Sequence, residues 1–330
     1  MSATAGRYLV TGGAGFVGSH CVELLAKAGA EVVVLDNLRQ GHRAAIPPGV
    51  RLVEADVTDA EAILGDGRWD GVLHFAALSL VGESMREPMR YMIENAAQGF
   101  RLIEACVRHR VPKFVLSSTA ALFGVPDEIP ITERSRIAPG SPYGESKLAI
   151  ERALHWASEI HGLRTACLRY FNAAGADPGG RIGEDHDPET HLIPLTIDAA
   201  LGRRPPLTVF GTDYETPDGT AVRDYVHVTD LGQAHLLALQ RLDVGSVTYN
   251  LGNGAGHSVR DVIASVERVL GRPVPHSFGP RRPGDPAVLV ASSQRIKQET
   301  GWTPRFPDLD AIVRTAADWR LAHPDGYGDR

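Results

Sequence analysis

The stretch YLVTGGAGFVGSH, residues 8–20, decides the fold. A short apolar run, Tyr8 to Thr11, opens directly into glycines at Gly12, Gly15 and Gly18, and a helical pattern follows from Phe16 to Ala28. In a strand-turn-helix unit this spacing has a physical reading. Gly12 permits the tight turn, Gly15 lets backbone approach a pyrophosphate, and Gly18 lets the helix pack closely on the sheet. The free amides at the helix start then meet the anion. A second strand, Glu31 to Leu35, ends in Asp36, eighteen residues beyond Gly18. A carboxylate there accepts hydrogen bonds from a ribose 2′-hydroxyl and repels a 2′-phosphate, which favours NAD over NADP. Arg39 and Arg43 lie close enough in sequence to welcome that phosphate, but only if Asp36 turned away.

Outward from this unit the same rhythm repeats. Arg51 to Glu54, Gly71 to Phe75, Phe114 to Ser117 and Thr165 to Leu168 read as further strands, short and nearly continuously apolar. Such strands belong to a parallel sheet covered on both faces. Met89 to Arg108 and Tyr143 to His161 read as helices, the first with Met92, Ala96, Phe100, Ile103 and Val107 on one stripe. The alternation predicts an α/β fold, a doubly wound parallel sheet with ligands beyond the carboxyl ends of its strands. The texture changes near Phe171. Eight prolines precede it and fourteen follow, so residues 1–171 are expected to hold the nucleotide and 172–330 to form a smaller α/β substrate lobe, with some crossing of the chain between them.

Composition narrows the function. The chain has 330 residues, 43% of them hydrophobic and 22% charged, enough to bury a sizeable core. Its net charge is −6 and its isoelectric point near 6.1, which excludes the basic footprint of a general nucleic-acid binder. Any phosphate must be met by backbone amides or a few placed arginines. No run reaches the ~20 apolar residues of a membrane span, and no signal peptide is visible. Cys21, Cys106 and Cys167 lack CxxC spacing and read as reduced core residues of a cytoplasmic protein. His186, Asp187, Glu189 and His191 match no helical zinc signature and read as a solvated loop, so no metal is expected.

The chemistry-bearing group lies after the fifth strand. That strand runs into Ser117-Ser118-Thr119, and Tyr143 and Lys147 follow at i and i+4 of a helix, on one face. A free tyrosine titrates near pH 10, whereas a general base for a sugar hydroxyl is best near 7. The gap is roughly 4 kcal/mol of preference for the phenolate, which the Lys147 ammonium and a nicotinamide cation could supply together. Thr119 could hydrogen-bond the reacting hydroxyl.

In this order, the Gly triplet, the Ser-Ser-Thr strand end and YxxxK resemble the extended short-chain dehydrogenase/reductases. More narrowly, VTGGAGFVGSH, LDNL, HFAA, VGES, SPYGESKL, RYFNAAGA, GTDYETPDGTAVRDYVHV, YNLGNG, RRPGD and HPDGYGD resemble the UDP-galactose 4-epimerase family, from residue 10 to residue 329. The resemblance implies that Tyr143 is base and acid at the sugar C4 hydroxyl, that Lys147 holds the nicotinamide ribose and tunes Tyr143, and that Thr119 fills the family's Ser/Thr position. It implies an NAD site made by Gly12, Gly15, Phe16, Val17 and Gly18 at the pyrophosphate. Asp36 and Asn37 would take the adenosine ribose, Asp56 and Val57 the adenine end, and Phe75, Ala76 and Ala77 the middle. Asn95 would stand behind ribose and pyrophosphate, with Ser117 and Tyr170 completing the set. Asn172, His191, Leu192, Phe210, Arg223, Arg282, Asp285 and Leu289 would hold a UDP-sugar, with Leu289 beside the C2 substituent. A homodimer through the helices around 89–108 and 143–161 is also implied.

Three positions depart from that pattern. Phe123 stands where the family more often has Tyr and is expected to pack. The segment 95–99 differs, so a helix start there is expected to be locally altered. Leu289 is of middling size and leaves N-acetylated and pentose UDP-sugars open as alternative substrates. Other classes fit less well. A dehydratase of the same family needs acid and base after the Ser/Thr, and Ala120 and Ala121 can move no proton. A reductase exchanging NADPH conflicts with Asp36, and an NAD-sensing regulatory protein has no need of both Tyr143 and Lys147.

Overall fold

The computed structural model describes residues 6–282 and 284–329. Seven strands form one wholly parallel sheet: β1 (Arg7–Thr11), β2 (Glu31–Asp36), β3 (Arg51–Glu54), β4 (Gly71–His74), β5 (Lys113–Thr119), β6 (Arg164–Tyr170) and, after three others, β10 (Val247–Leu251). Their spatial order is β3-β2-β1-β4-β5-β6-β10, which reverses between β1 and β4 and opens a crevice at their carboxyl ends. Both faces are covered. Tyr8, Val10, Leu73, Val115 and Leu168 pack with the helix Val228–Arg241 on one side. Leu9, Val72, Phe114 and Leu116 pack with the helices Gln98–Arg108 and Pro142–His161 on the other. Burial on two faces is why these strands are almost unbroken apolar runs.

The remaining strands are β7 (Asn172–Ala174), β8 (Leu207–Phe210), β9 (Val222–His227), β11 (Gly256–Ser258), β12 (His276–Gly279) and β13 (Val288–Leu289). Strand β9 is the hub, pairing with β11, β13 and β7, while β8 pairs with β12. A separate core of Ile193, Ile197, Val262, Val266, Ile312 and Val313 joins the helices Leu192–Ala200, Val259–Leu270 and Leu309–Ala322. The chain crosses back once it has begun this unit, because Val228–Arg241 and β10 complete the large sheet.

Element ends differ from expectation in instructive ways. Strand β4 stops at His74 because the amides of Phe75 and Ala76 both turn to the Thr11 carbonyl, at 2.8 and 3.1 Å. The helix expected over 89–108 starts at Pro88 and is interrupted: Met92–Ala97 winds as a wider π-helical turn before α-geometry resumes at Gln98. The 95–99 departure therefore alters a helix interior, not a helix start. Asn95 sits in that turn and is buried. The three cysteines are free and buried, where burial pushes their thiols up and out of reactivity. Among the described residues no helix is long and apolar enough to cross a membrane.

Candidate active site

The glycine turn is built by steric necessity. Gly12 adopts φ +70°, and a Cβ there would lie 2.3 Å from the Ala76 amide nitrogen; a Cβ on Gly18 would lie 2.2 Å from the Gly12 carbonyl. Gly15 is different. Its Cβ would meet nothing closer than the Gly12 carbonyl at 3.4 Å, so its missing side chain leaves open room in front of the helix Phe16–Lys27. A cradle of that kind, with Phe16 and Val17 opening the helix beside it, fits a pyrophosphate.

Asp36 ends β2 buried, accepting from the amides of Ala14 and Leu38, both at 2.9 Å. Those bonds fix its carboxylate at the end of β2 and leave lone pairs for hydroxyls. Arg39 is bonded to Glu94 at 2.5 Å and Arg43 to Glu54, so neither guanidinium is directed at a 2′-phosphate. The residues fit NAD rather than NADP. Asn37 reaches toward Asp56 (3.4 Å), and Asp56 caps the short turn Val57–Asp59. Asn95 grips the loop after β4, donating to the Leu78 carbonyl (2.9 Å) and to Ser146 (3.1 Å) and accepting from the Leu78 amide (2.8 Å). Ala77 leads into that gripped segment.

Tyr143 and Lys147 stand on a helix whose start is well specified: Ser141 caps the Gly144 amide at 3.2 Å and Pro142 occupies the first turn. Thr119 ends β5 and accepts from the Ala121 amide at 3.1 Å, and its hydroxyl holds the Tyr143 phenol down against burial. Lys147 donates to the Ser117 carbonyl at 2.8 Å, and the Ser117 hydroxyl meets the Tyr170 hydroxyl at 2.6 Å. The strand end and the helix face are thus tied together at the β4/β5 side of the crevice.

Burial pushes the Tyr143 phenol up, and the Thr119 hydroxyl opposes it. The Lys147 ammonium is held by the Ser117 carbonyl. Burial also pulls Lys147 down, to about 8, against the charge of Glu151. The expected alkaline limb of activity therefore falls near pH 8, where the ammonium is lost, and Glu151→Gln moves it lower. A rate flat to pH 10 in the parent would contradict this.

On the other side of the crevice, Asn172 donates to the Asp224 carbonyl at 2.9 Å and thereby pins β7 to β9. Arg223 pairs with Asp285, and Leu289 lies opposite Arg223 in the β13–β9 register. Arg282 lies over the Phe210 ring at 4.4 Å. His191 immediately precedes the helix that begins at Leu192. The loop expected to be solvated is solvated in part: Asp187 and His191 are exposed and His186 and Glu189 half-buried, while Glu184 is buried, and the Glu184 and Glu189 carboxylates outweigh burial and hold the His186 imidazole up at about 10.

Several residues at the site were not singled out from the sequence. Glu151 accepts from Ser118 (2.6 Å) and from Arg169 (3.0 and 2.5 Å) in a buried network beneath Lys147. A charged residue inside the apolar run of β6 was its one visible signal. Tyr91 meets the Tyr143 ring edge-on at 6.4 Å while its hydroxyl bonds Glu83 and Leu80. Phe123 packs as expected, buried with the Arg169 guanidinium over its ring at 5.6 Å. The HPDGYGD segment acquires a reason: Asp329 bonds His42 (2.6 Å) and the Ala44 amide (3.1 Å), closing the chain end over the loop after Asp36.

A doubly wound parallel sheet carrying a glycine cradle, an aspartate at the end of β2 and a Thr-Tyr-Lys group defines an enzyme of the short-chain dehydrogenase/reductase class. Residues 8–252 match the family described as "NAD dependent epimerase/dehydratase family". The UDP-glucose 4-epimerase of Lacticaseibacillus casei is 47% identical over 326 residues, 97% of this chain and 98% of that one. The crystal structure of the UDP-glucose 4-epimerase from Brucella ovis, in complex with NAD, superposes with a TM-score of 0.91 at 45% identity, covering 95% of this chain and 98% of that one. That of the Bifidobacterium longum enzyme, with NAD+ and UDP, gives 0.92 at 35% identity, covering 97% and 99%. The chain belongs to the NAD-dependent epimerase/dehydratase family. It is an enzyme of the isomerase class, and its cofactor is NAD.

Proposed function

We propose that the enzyme interconverts UDP-galactose and UDP-glucose through a transient 4-keto sugar. The observation that carries this reading is the half-buried Tyr143 phenol, held down by the Thr119 hydroxyl and one helical turn before the Lys147 ammonium. Bound NAD supplies a hydride acceptor that later serves as donor. Tyr143, once ionised, takes the C4 hydroxyl proton as hydride leaves C4, and Thr119 holds the reacting oxygen. The ketone is flat at C4, so after the sugar turns about its link to the diphosphate, hydride returns to the opposite face and Tyr143 gives its proton back. Net redox change is zero. Because burial keeps the phenol neutral, its ionisation needs the positive charge of Lys147 and of the bound nicotinamide together.

Arg223 with Asp285, and Arg282 on Phe210, hold the uridine diphosphate in this reading, with Asn172, His191, Leu192 and Leu289 forming the wall around the sugar. An acidic protein binding a dianion needs such placed guanidiniums. Elimination is disfavoured, because the turn Ala120–Leu122 after Thr119 offers no proton donor. Residues 1–171 serve as the cofactor lobe and 172–330 as the substrate lobe of a cytoplasmic enzyme.

The protein, purified without added cofactor, is expected to convert UDP-galactose to UDP-glucose and to release NAD on denaturation. Absence of conversion removes the reading. Rates on UDP-galactose and its N-acetyl counterpart, compared in one assay, rank the two as substrates.

We also infer a homodimer. Met89, Ile93 and Phe100 on one helical stretch, and Trp156 and Ile160 on the next, are exposed apolar side chains on adjoining helices. A patch of this kind marks an interface. Trp156→Glu with Ile160→Glu should convert a dimer to a monomer in light scattering; an unchanged mass would place the interface elsewhere.

A further inference from the structure

His42 joins three stretches of chain that are far apart in sequence, and the proposed chemistry does not use it. It lies in the loop 37–46 that follows Asp36, and it is 3% exposed. The His42 amide donates to the Ala14 carbonyl at 2.9 Å, and a Cβ on neighbouring Gly41 would stand 2.8 Å from both the Ala14 methyl and an Asp36 carboxylate oxygen. The loop therefore lies directly on the glycine turn and on Asp36. The imidazole makes the distant contacts. Its Nδ1 meets Asp329 Oδ1 at 2.6 Å, its Nε2 meets the Asp185 carbonyl at 3.0 Å, and the Tyr327 ring stacks on it at 4.5 Å. Burial of Asp329 is outweighed by its bonds from His42 and from the Ala44 amide, which hold its carboxyl below the usual range. The carboxylate is ionised, so Nδ1 donates to it.

The segment 324–329 is fixed in turn to the loop that leads to the helix Leu192–Ala200. The Tyr327 amide donates to Asp185 Oδ2 at 3.0 Å, and the Tyr327 hydroxyl accepts from the Gly183 amide at 3.0 Å and donates to the Gly183 carbonyl at 3.2 Å. Gly326 has φ +63°, and a Cβ there would stand 2.1 Å from the Asp185 carboxylate, so only glycine allows this approach. Two further links run alongside, from Gln40 Nε2 to the Asp187 carbonyl at 3.0 Å and from Arg181 to the Ala45 carbonyl at 3.1 Å.

We propose that the segment 324–329 is a clasp on the cofactor site: through Asp329 and His42 it fixes the loop 37–46 against the glycine turn and Asp36, and so retains NAD. The inference rests on reading that turn and Asp36 as the place where NAD binds. His42 and Asp329 are positioning residues. A loop ordered only by its own contacts opens readily, because fixing its backbone costs conformational entropy. Tied near its middle to two distant segments, this one is held shut. A cycle that returns hydride to the same sugar needs that retention, since reduced cofactor lost midway would strand the ketone. No sequence pattern shows the clasp, because His42 and Asp329 stand 287 residues apart.

The test uses the full-length protein. The parent, Asp329→Ala, His42→Gln and Asp36→Ala are each freed of nucleotide and titrated with NAD in a calorimeter. Asp329→Ala and His42→Gln should each weaken NAD binding by about tenfold or more, the effect of one lost charge-assisted hydrogen bond. Turnover of UDP-galactose with saturating NAD, and affinity for UDP, should stay parental, a split that general unfolding does not give. Parental NAD affinity in Asp329→Ala, or a loss of turnover that saturating NAD fails to restore, would overturn the proposal. Asp36→Ala tells the two readings apart. Weakened NAD binding there beside parental affinity in Asp329→Ala sinks the clasp alone, whereas parental affinity in both removes the cofactor-site reading and the clasp with it. Asp329 is exposed, so its truncation decides the matter even where the buried His42 variant fails to fold.

Discussion

Tyr143→Phe lowers turnover of UDP-galactose by about a hundredfold or more, the range of a lost general acid-base group, while the NAD content of the purified protein stays at the parental level. The substitution removes one oxygen and little else. The ring keeps its edge-on contact with Tyr91, Lys147 keeps its bond to the Ser117 carbonyl, and Asp36 keeps its bond from the Ala14 amide. What is lost is the phenol that stands beside Thr119 and can accept a proton from a substrate. Turnover measured with saturating substrate, alongside the nicotinamide released on denaturation, separates chemistry from cofactor loss. Near-parental turnover would show that the base lies elsewhere.

Glu151→Ala is expected to cost about 3–5 kcal/mol of folding stability, because it strands the Arg169 guanidinium in the core. Both side chains are less than a tenth exposed, and the carboxylate also accepts from Ser118 in β5. Replacing both charges, as Glu151→Leu with Arg169→Met, should cost clearly less than the single change, since an apolar pair leaves no uncompensated charge. Urea unfolding of the two variants decides the matter. A single variant within about 1 kcal/mol of the parent, no more than an exposed ion pair gives, or a double variant as unstable as the single, would show that the network does not hold the strand end under Lys147. The network matters to function because Glu151 also supports the Lys147 ammonium against burial.

The glycine triplet, Asp36 and the YxxxK pair were legible because each follows from local geometry: a turn that only glycine allows, a strand end, and one face of a helix. The same locality limited the reading elsewhere. Spacing put Lys147 beside Tyr143, yet the Ser117 carbonyl that holds its ammonium lies thirty residues away and is met only in the fold. The departure at Asn95 to Gly99 was visible as unusual residues, but a widened helical turn is a response to what Asn95 grips in the loop at Leu78 and in the neighbouring helix at Ser146. Glu151 and Arg169 each look anomalous alone, and only sheet and helix packing pairs them.

By itself the sequence determined the parallel α/β fold, the cofactor preference and the identity of the groups able to move a proton, because short-range sterics and side-chain chemistry set all three. Tertiary structure alone decided how strongly those groups are charged. It also decided that β10 and the helix Val228–Arg241 return to the first sheet, and that Glu184 is buried. Burial and the choice of hydrogen-bond partner are set by residues distant in the chain, and no local pattern encodes them.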